Sequence, residues 1–229
     1  MNQQIGSWLY TISIWALPAI IAITFHEAAH GFAALRFGDD TALRLGRVTL
    51  NPLKHIDPMG TIFLPALLLL LRSPFLFGYA KPVPVNFRAL KRPRLDMIFV
   101  AFAGPLTNIV LAAISIFLFS RLTPLVPAWA QLFVLKNLQN SVSINLVLAI
   151  FNLLPIPPLD GGRIVTGLLP TPLALRFAKV EQVGILILLA LLVFIPMLGN
   201  RLHMNFNLLA PVIEYPVNWL GTLLINLFG

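Results

Sequence analysis

The stretch Thr24-Phe25-His26-Glu27-Ala28-Ala29-His30-Gly31 lies inside an apolar run that extends from about Trp8 to Phe37. Residues four apart on a helix share a face, so His26 and His30 point in the same direction. Two imidazoles at this spacing can hold one Zn²⁺, and Glu27 beside them can take a proton from a water molecule. Because ionisable side chains are costly to bury in lipid-compatible sequence, such a group predicts a functional site inside a membrane helix.

The composition is that of a membrane protein. Of the 229 residues, 58% are hydrophobic and 10% are charged, whereas a soluble domain carries roughly 25% charged residues. The length allows about five or six membrane segments of ~20 residues each. We therefore predict an all-α polytopic membrane protein with a single membrane-embedded domain at 1–229, which has a core at 8–163 and further membrane segments at about 180–228. Since the chain has no cysteine, a metal ion would need His, Asp or Glu ligands.

Five apolar segments follow one another along the chain, and a sixth is less regular. They run from about Trp8 to Phe37, Gly60 to Phe77, Asp96 to Leu122, Trp129 or Leu138 to Leu154, Val180 to Leu198 and Phe206 to Phe228. The second is interrupted by Pro65, Arg72 and Pro74, and its longest unbroken part is too short to span, which predicts a re-entrant element. The sixth contains Pro211 and Pro216, so it either spans with a kink or lies at the interface.

The positive charge is explained better by the membrane than by nucleic acid. The net charge is +8, but the cations cluster in loops beside apolar segments, as the positive-inside rule predicts. With a re-entrant second segment, the cytoplasmic side holds Arg36, Arg44, Arg47, Lys54, Arg72, Lys81, Arg88, Lys91, Arg92, Arg94, Arg163, Arg176 and Lys179. A spanning second segment would move the group from Arg72 to Arg94 outside. The re-entrant arrangement is therefore favoured, and it brings the inner ends of the first and fourth segments to the same depth.

The histidine pair needs a third ligand, because a catalytic zinc usually has three protein ligands and one open position. Asp160 follows three prolines, precedes Gly161 and Gly162, and lies at the matching depth. Coordination would also remove the cost of a carboxylate near hydrocarbon. The alternatives are the carboxylates of Asp57, Asp96 and Glu214. These features favour Asp160.

Several motifs resemble those of the site-2 protease family of intramembrane zinc metalloproteases. The matching stretches are His26-Glu27-Ala28-Ala29-His30, Gly104 to Asn108, Asn152, and Pro157-Pro158-Leu159-Asp160-Gly161-Gly162. The resemblance implies that His26, His30 and Asp160 bind Zn²⁺. It also implies that Glu27 is the catalytic base and that Asn152 holds the substrate backbone or the developing oxyanion.

The stretch Ala80-Lys81-Pro82-Val83-Pro84-Val85 resembles the edge-strand hairpin found near the active site in this family. The resemblance therefore implies a small β-hairpin, although the alternating prolines suit a polyproline-like surface loop equally well. A substrate helix must unwind before it can be cut, because its carbonyls are hydrogen-bonded within the helix. We expect the unwound segment to pair with the edge at Lys81 to Val85.

The resemblance implies a multi-pass protein of the bacterial inner membrane with its active site towards the cytoplasmic side. Its partners would be the lipid bilayer and single-span membrane proteins, cut within their transmembrane segments for signalling or for clearance of remnants. Zn²⁺ would activate a water molecule, and Glu27 would act as general base. We expect no room for the PDZ or CBS domains of some relatives. A transporter that binds a metal ion in transit and an inactive relative that binds without cutting are the alternatives, and the oligomeric state is not predicted.

Overall fold

A computed structural model describes residues 2–70, 79–201 and 209–229. The regular structure in these ranges is helical. The α-helices are α1 (Asn2–Arg36), α2 (Thr41–Arg44), α3 (Leu64–Leu70), α4 (Pro93–Leu122), α5 (Ala128–Asn152), α6 (Asp160–Leu168), α7 (Thr171–Ala178), α8 (Glu181–Leu189), α9 (Ile195–Arg201) and α10 (Leu209–Phe228). A 3₁₀ turn covers Pro52–Lys54, and π-helical turns cover Pro58–Phe63 and Ala190–Phe194.

Four of the described helical stretches are long and apolar enough to cross a membrane. They are Tyr10–Arg36 of α1, all of α4, all of α5, and Glu181–Gly199, which runs from α8 into α9. These correspond to the first, third, fourth and fifth predicted segments. Large apolar side chains such as Trp15, Phe117 and Trp129 are exposed on them, as expected where lipid replaces water. The protein is therefore a multi-pass membrane protein, with four candidate spans in the described ranges against the five or six predicted.

The second and sixth predicted segments are described only in part. In the second, the π-helical turn Pro58–Phe63 continues into α3, which ends at Leu70. This stretch is at most about 20 Å long, short of a ~30 Å hydrocarbon core, while residues 71–77 lie outside the described ranges. Of the sixth, residues 206–208 also lie outside, and α10 contains Pro216. The re-entrant element therefore stays a prediction.

Helices α1, α4 and α5 pack against one another and form the centre of the molecule. Small residues at these contacts are almost completely buried, including Ala22 and Ala34 of α1, Ala112 of α4 and Ala149 of α5. Small side chains let helix backbones approach closely, which is how helices associate when lipid surrounds them. Close packing of α1 against α4 holds the half of α1 that carries the two histidines.

The predicted β-hairpin at Ala80 to Val85 is not found, because the described ranges contain no β-strand. Pro82 and Pro84 have no N–H group to donate to a ladder. The N–H groups of Lys81 and Val83 are already bonded, the first to a carbonyl of the preceding loop and the second to a carboxylate of α1. The structure has the loop, which is the alternative interpretation of the proline pattern.

Candidate metal centre

Three side chains from distant parts of the sequence meet beside the second half of α1. His26 Nε2 lies 3.1 Å from His30 Nε2, and Asp160 Oδ2 lies 3.2 Å from His26 Nε2 and 3.3 Å from His30 Nε2. All three residues are buried. Within the described ranges, this is the only group of three such side chains whose ligand atoms lie close enough to hold a metal ion. The structure thus brings together the three residues predicted as ligands.

Each imidazole directs the lone pair of its Nε2 atom towards the space between the three side chains. His30 Nδ1 lies 2.7 Å from the Val100 carbonyl oxygen, which only accepts, so Nδ1 carries the hydrogen and Nε2 is free to ligate. His26 Nδ1 lies 2.6 Å from Asn108 Oδ1 and is fixed in the same way. Asp160 Oδ2 is buried without a hydrogen-bond partner. Three electron pairs that face one another in a buried site call for a cation between them.

The spacing of the three atoms fits a tetrahedral cation. With bonds of roughly 2.0–2.1 Å, two ligands of a tetrahedral zinc ion lie about 3.3–3.4 Å apart, close to the observed 3.1–3.3 Å. Gly104 of α4 keeps this space open. A Cβ atom at Gly104 would lie 2.5 Å from His30 Nε2 and 2.7 Å from His26 Nε2. The donor set and the open space therefore both fit a metal ion.

A tight turn after α5 brings Asp160 to the histidines. The turn contains the cis peptide bond between Pro157 and Pro158, and α6 begins at Asp160. A Cβ atom at Gly162 would lie 2.5 Å from the Pro157 nitrogen, and one at Gly161 would collide with backbone carbonyls at the end of α5. Only glycines fit this close approach, which explains why two of them follow the aspartate.

The carboxyl group of Asp160, which lies outside the four candidate spans, is held in its charged form. Burial alone raises its pKa, but the adjacent His30 and His26 outweigh this effect, so its pKa lies below the ordinary value. The side chain therefore offers an ionised oxygen, which is the form that ligates a metal ion.

The three alternative carboxylates are engaged or exposed elsewhere. Asp57 accepts hydrogen bonds from the Met59 and Gly60 nitrogens and caps a π-helical turn. Asp96 accepts a hydrogen bond from the Arg92 nitrogen at the start of α4, and Glu214 is exposed on α10. Of the four candidate aspartates and glutamates, Asp160 is the one that lies against the histidines.

Glu27 and Asn152 line the same cavity as the three candidate ligands. The cavity has a volume of about 350 Å³ and is also bordered by Tyr79, Ala80, Pro82 and Val83 of the loop. Glu27 Oε2 accepts a hydrogen bond of 2.9 Å from the Val83 nitrogen. Asn152 Nδ2 donates one hydrogen bond to the Leu148 carbonyl at 2.9 Å, and an amide nitrogen has a second hydrogen to offer. Both residues predicted to act on substrate are therefore within the cavity.

Some of the contacts at this site have no signal in the sequence. Backbone groups hold both Glu27, through the Val83 nitrogen, and His30, through the Val100 carbonyl. A main-chain atom looks the same at every position, so no residue type predicts these contacts. Asn108 does have a signal, as a polar residue in an apolar segment, but this signal indicates only a helix contact.

The chain belongs to peptidase family M50, because residues 14–136 and 127–195 match the model of that family. This confirms the site-2 protease resemblance. A relative named "Putative zinc metalloprotease YwhC", from Bacillus subtilis, is 42% identical over 192 residues, which cover 80% of this chain and 81% of the relative. Two relatives named "Putative zinc metalloprotease Rip2" also match. The one from Mycolicibacterium smegmatis is 30% identical over 83% of this chain and 69% of the relative. The one from Mycobacterium tuberculosis strain H37Rv is 33% identical over 81% of this chain and 67% of the relative. No solved structure matches this chain significantly.

Proposed function

We propose that this metallopeptidase is an intramembrane zinc endopeptidase that cuts transmembrane segments of single-span membrane proteins. The observation that carries the proposal is the convergence of His26 Nε2, His30 Nε2 and Asp160 Oδ2 within 3.3 Å of one another, on a cavity that Glu27 also lines. Two imidazoles and one carboxylate suit zinc among the divalent ions, and the names of the relatives agree with zinc.

In the proposed mechanism, the two histidines and Asp160 hold the ion. A bound Zn²⁺ supplies Lewis acidity, which lowers the pKa of a water molecule and polarises the substrate carbonyl. Glu27 takes the water proton on its carboxylate and later gives it to the leaving amine nitrogen. Asn152 donates an amide hydrogen to the substrate backbone or to the carbonyl oxygen as negative charge develops there.

The loop beside Glu27 is the proposed docking edge for the unwound substrate. Its Val83 N–H group is bonded to Glu27 Oε2 at 2.9 Å, so a substrate carbonyl that pairs there must displace the carboxylate. Docking of the substrate and release of the base would then occur together. This coupling would restrict proteolysis to segments that are already extended along the loop, and it retains the predicted edge pairing without requiring a hairpin.

We propose that the site faces the cytoplasm of a bacterial inner-membrane protein. The Phe37 carbonyl, just after α1, accepts a hydrogen bond of 3.1 Å from the Lys91 nitrogen, just before α4. These two helix ends are adjacent, which supports a second segment that returns to the side from which it entered. The cations between them then lie on one side, and the positive-inside rule makes that side cytoplasmic. The packing of α1, α4, α5 and α6 supports one protease domain over 1–229.

The proposal is tested by comparing the wild type with Glu27→Gln in detergent. Both should contain one zinc ion per chain, because Glu27 is not a ligand. The wild type should cut model single-span substrates, and Glu27→Gln should be slower by about 10²- to 10⁴-fold, the usual contribution of a general base. Glu214→Gln removes an exposed carboxylate on α10 and should cut at the wild-type rate.

Three results would count against the proposal. The first is a wild type that contains no metal, and the second is cleavage by Glu27→Gln at the wild-type rate. The third is metal flux in liposomes that survives Glu27→Gln while no substrate is cut, which would favour the transporter alternative.

A further inference from the structure

Asn108 connects the candidate metal centre to a chain of polar groups between the helices. Its side chain is completely buried in α4. Its Oδ1 lies 2.6 Å from His26 Nδ1. Its Nδ2 donates to the Ala22 carbonyl at 3.2 Å and to Asn145 Oδ1 at 2.8 Å. The hydrogen-bonding capacity of this amide is therefore divided between a candidate metal ligand and the two neighbouring helices.

The orientation of the Asn108 amide follows from backbone carbonyls, which can only accept. The Ala22 carbonyl requires the NH₂ group of Asn108 on its side, so Oδ1 must face His26. The same holds one step further out, where Asn145 Nδ2 donates to the Ser141 carbonyl at 2.8 Å. Asn145 then presents Oδ1 to Asn108. Two independent carbonyls thus give one orientation for the whole chain of amides.

We propose that Asn108 is a positioning residue that keeps the hydrogen of His26 on Nδ1 and the Nε2 lone pair on the metal, with Asn145 holding Asn108 in place. This inference rests on the proposed zinc site. A neutral imidazole has its hydrogen on one nitrogen or the other, and only the unprotonated nitrogen ligates. Partners of this kind, which hold the second nitrogen of a ligating histidine, set the ring orientation and the affinity for the metal.

A purely structural role for Asn108 makes a different prediction. Polar residues in membrane helices often only join one helix to another, and Asn140 of α5 does so, since its Nδ2 donates to the Ile14 carbonyl of α1 at 2.9 Å. Asn140 is buried as well but does not contact either histidine. It is therefore a matched control for the loss of one buried interhelical hydrogen bond.

The test is zinc affinity, measured by competition with a chelator on purified protein. Asn108→Leu removes the acceptor for His26 and should weaken zinc binding about 10- to 100-fold. Asn108→Asp loses the donors to Ala22 and Asn145, as the leucine variant does, but it keeps an acceptor for His26. Its zinc affinity should therefore stay within a few-fold of the wild-type value. Asn140→Leu should bind zinc as the wild type does. Thermal unfolding without zinc checks that each variant is folded.

The outcomes separate this inference from the proposed function. If Asn108→Leu binds zinc as tightly as the wild type, or if Asn108→Asp is as weak as Asn108→Leu, the positioning role is wrong while the zinc site stands. If the wild type binds no zinc, the proposed function and this inference fail together. Should Asn108→Leu not fold, the aspartate variant decides alone, because a loss greater than about tenfold in it contradicts the acceptor role.

Discussion

Replacing Gly104 with alanine adds only one methyl group but should strongly weaken metal binding. The new Cβ atom would lie 2.5 Å from His30 Nε2, 2.6 Å from His26 Cε1 and 2.7 Å from His26 Nε2. Ordinary contacts between such atoms are roughly 3.5 Å, so the rings or α4 must move by about 0.8–1 Å. Zinc–ligand distances tolerate only about 0.2 Å of error. Both imidazoles are affected together, and the described ranges contain no other group of side chains that could hold the ion.

We expect zinc affinity to fall by at least about 100-fold in Gly104→Ala, which corresponds to ~2.7 kcal/mol of binding free energy. The measurement is chelator competition in detergent, with cleavage of a single-span substrate as a second readout. Gly6→Ala is the matched control, because a Cβ atom there would meet nothing within 4 Å. Zinc binding by folded Gly104→Ala within threefold of the wild type would refute the argument that this glycine keeps the space between the ligands open.

Three other substitutions test the docking edge and the third ligand. Val83→Pro removes the N–H group that bonds Glu27 and should lower cleavage of transmembrane substrates at least about tenfold, with zinc binding unchanged. Val85→Pro should lower cleavage through lost pairing with the substrate alone. Normal turnover by both folded variants would rule out the docking edge. Asp160→Asn replaces the charged ligand and should weaken zinc binding at least about 100-fold. Asp57→Asn, in a helix cap outside the candidate ligand group, should bind zinc normally. Equal zinc affinities of these two variants would remove Asp160 from the ligand set.

The local features of the site could be predicted because each depends on short-range geometry. The period of the α-helix places His26 and His30 on one face, whatever surrounds them. The prolines and the two glycines indicate a tight turn at Asp160, and the structure has that turn. Four apolar segments were long enough to be recognised as helices by length and composition, and they are the four candidate spans in the described ranges.

The conformation of the loop at 79–86 could not be predicted, because it depends on partners far away in the sequence. Edge strand and irregular loop have the same local pattern of alternating prolines. The outcome depends on Glu27, which takes the Val83 N–H group, and on Asp39, whose Oδ2 accepts a hydrogen bond of 2.6 Å from the Asn86 nitrogen. Neither contact can be inferred before α1 and the loop are placed against each other.

The register between α1 and α4 decides what the buried polar residues do. The two helices are antiparallel, with Val100 against His30 and Asn108 against His26. Gly104 lies between these contacts, against both rings. The two acceptors are two turns apart on α4, whereas the two histidines are one turn apart on α1. Both contacts therefore depend on one register, and a shift by one turn would displace each acceptor by about 5.4 Å relative to its imidazole. The histidine motif defines which atoms can ligate, but this register determines whether their lone pairs point at the same place. Gly104→Ala and Asn108→Leu therefore both disturb the orientation of the two lone pairs. The first fills the space between the rings, and the second removes the acceptor that holds the His26 ring.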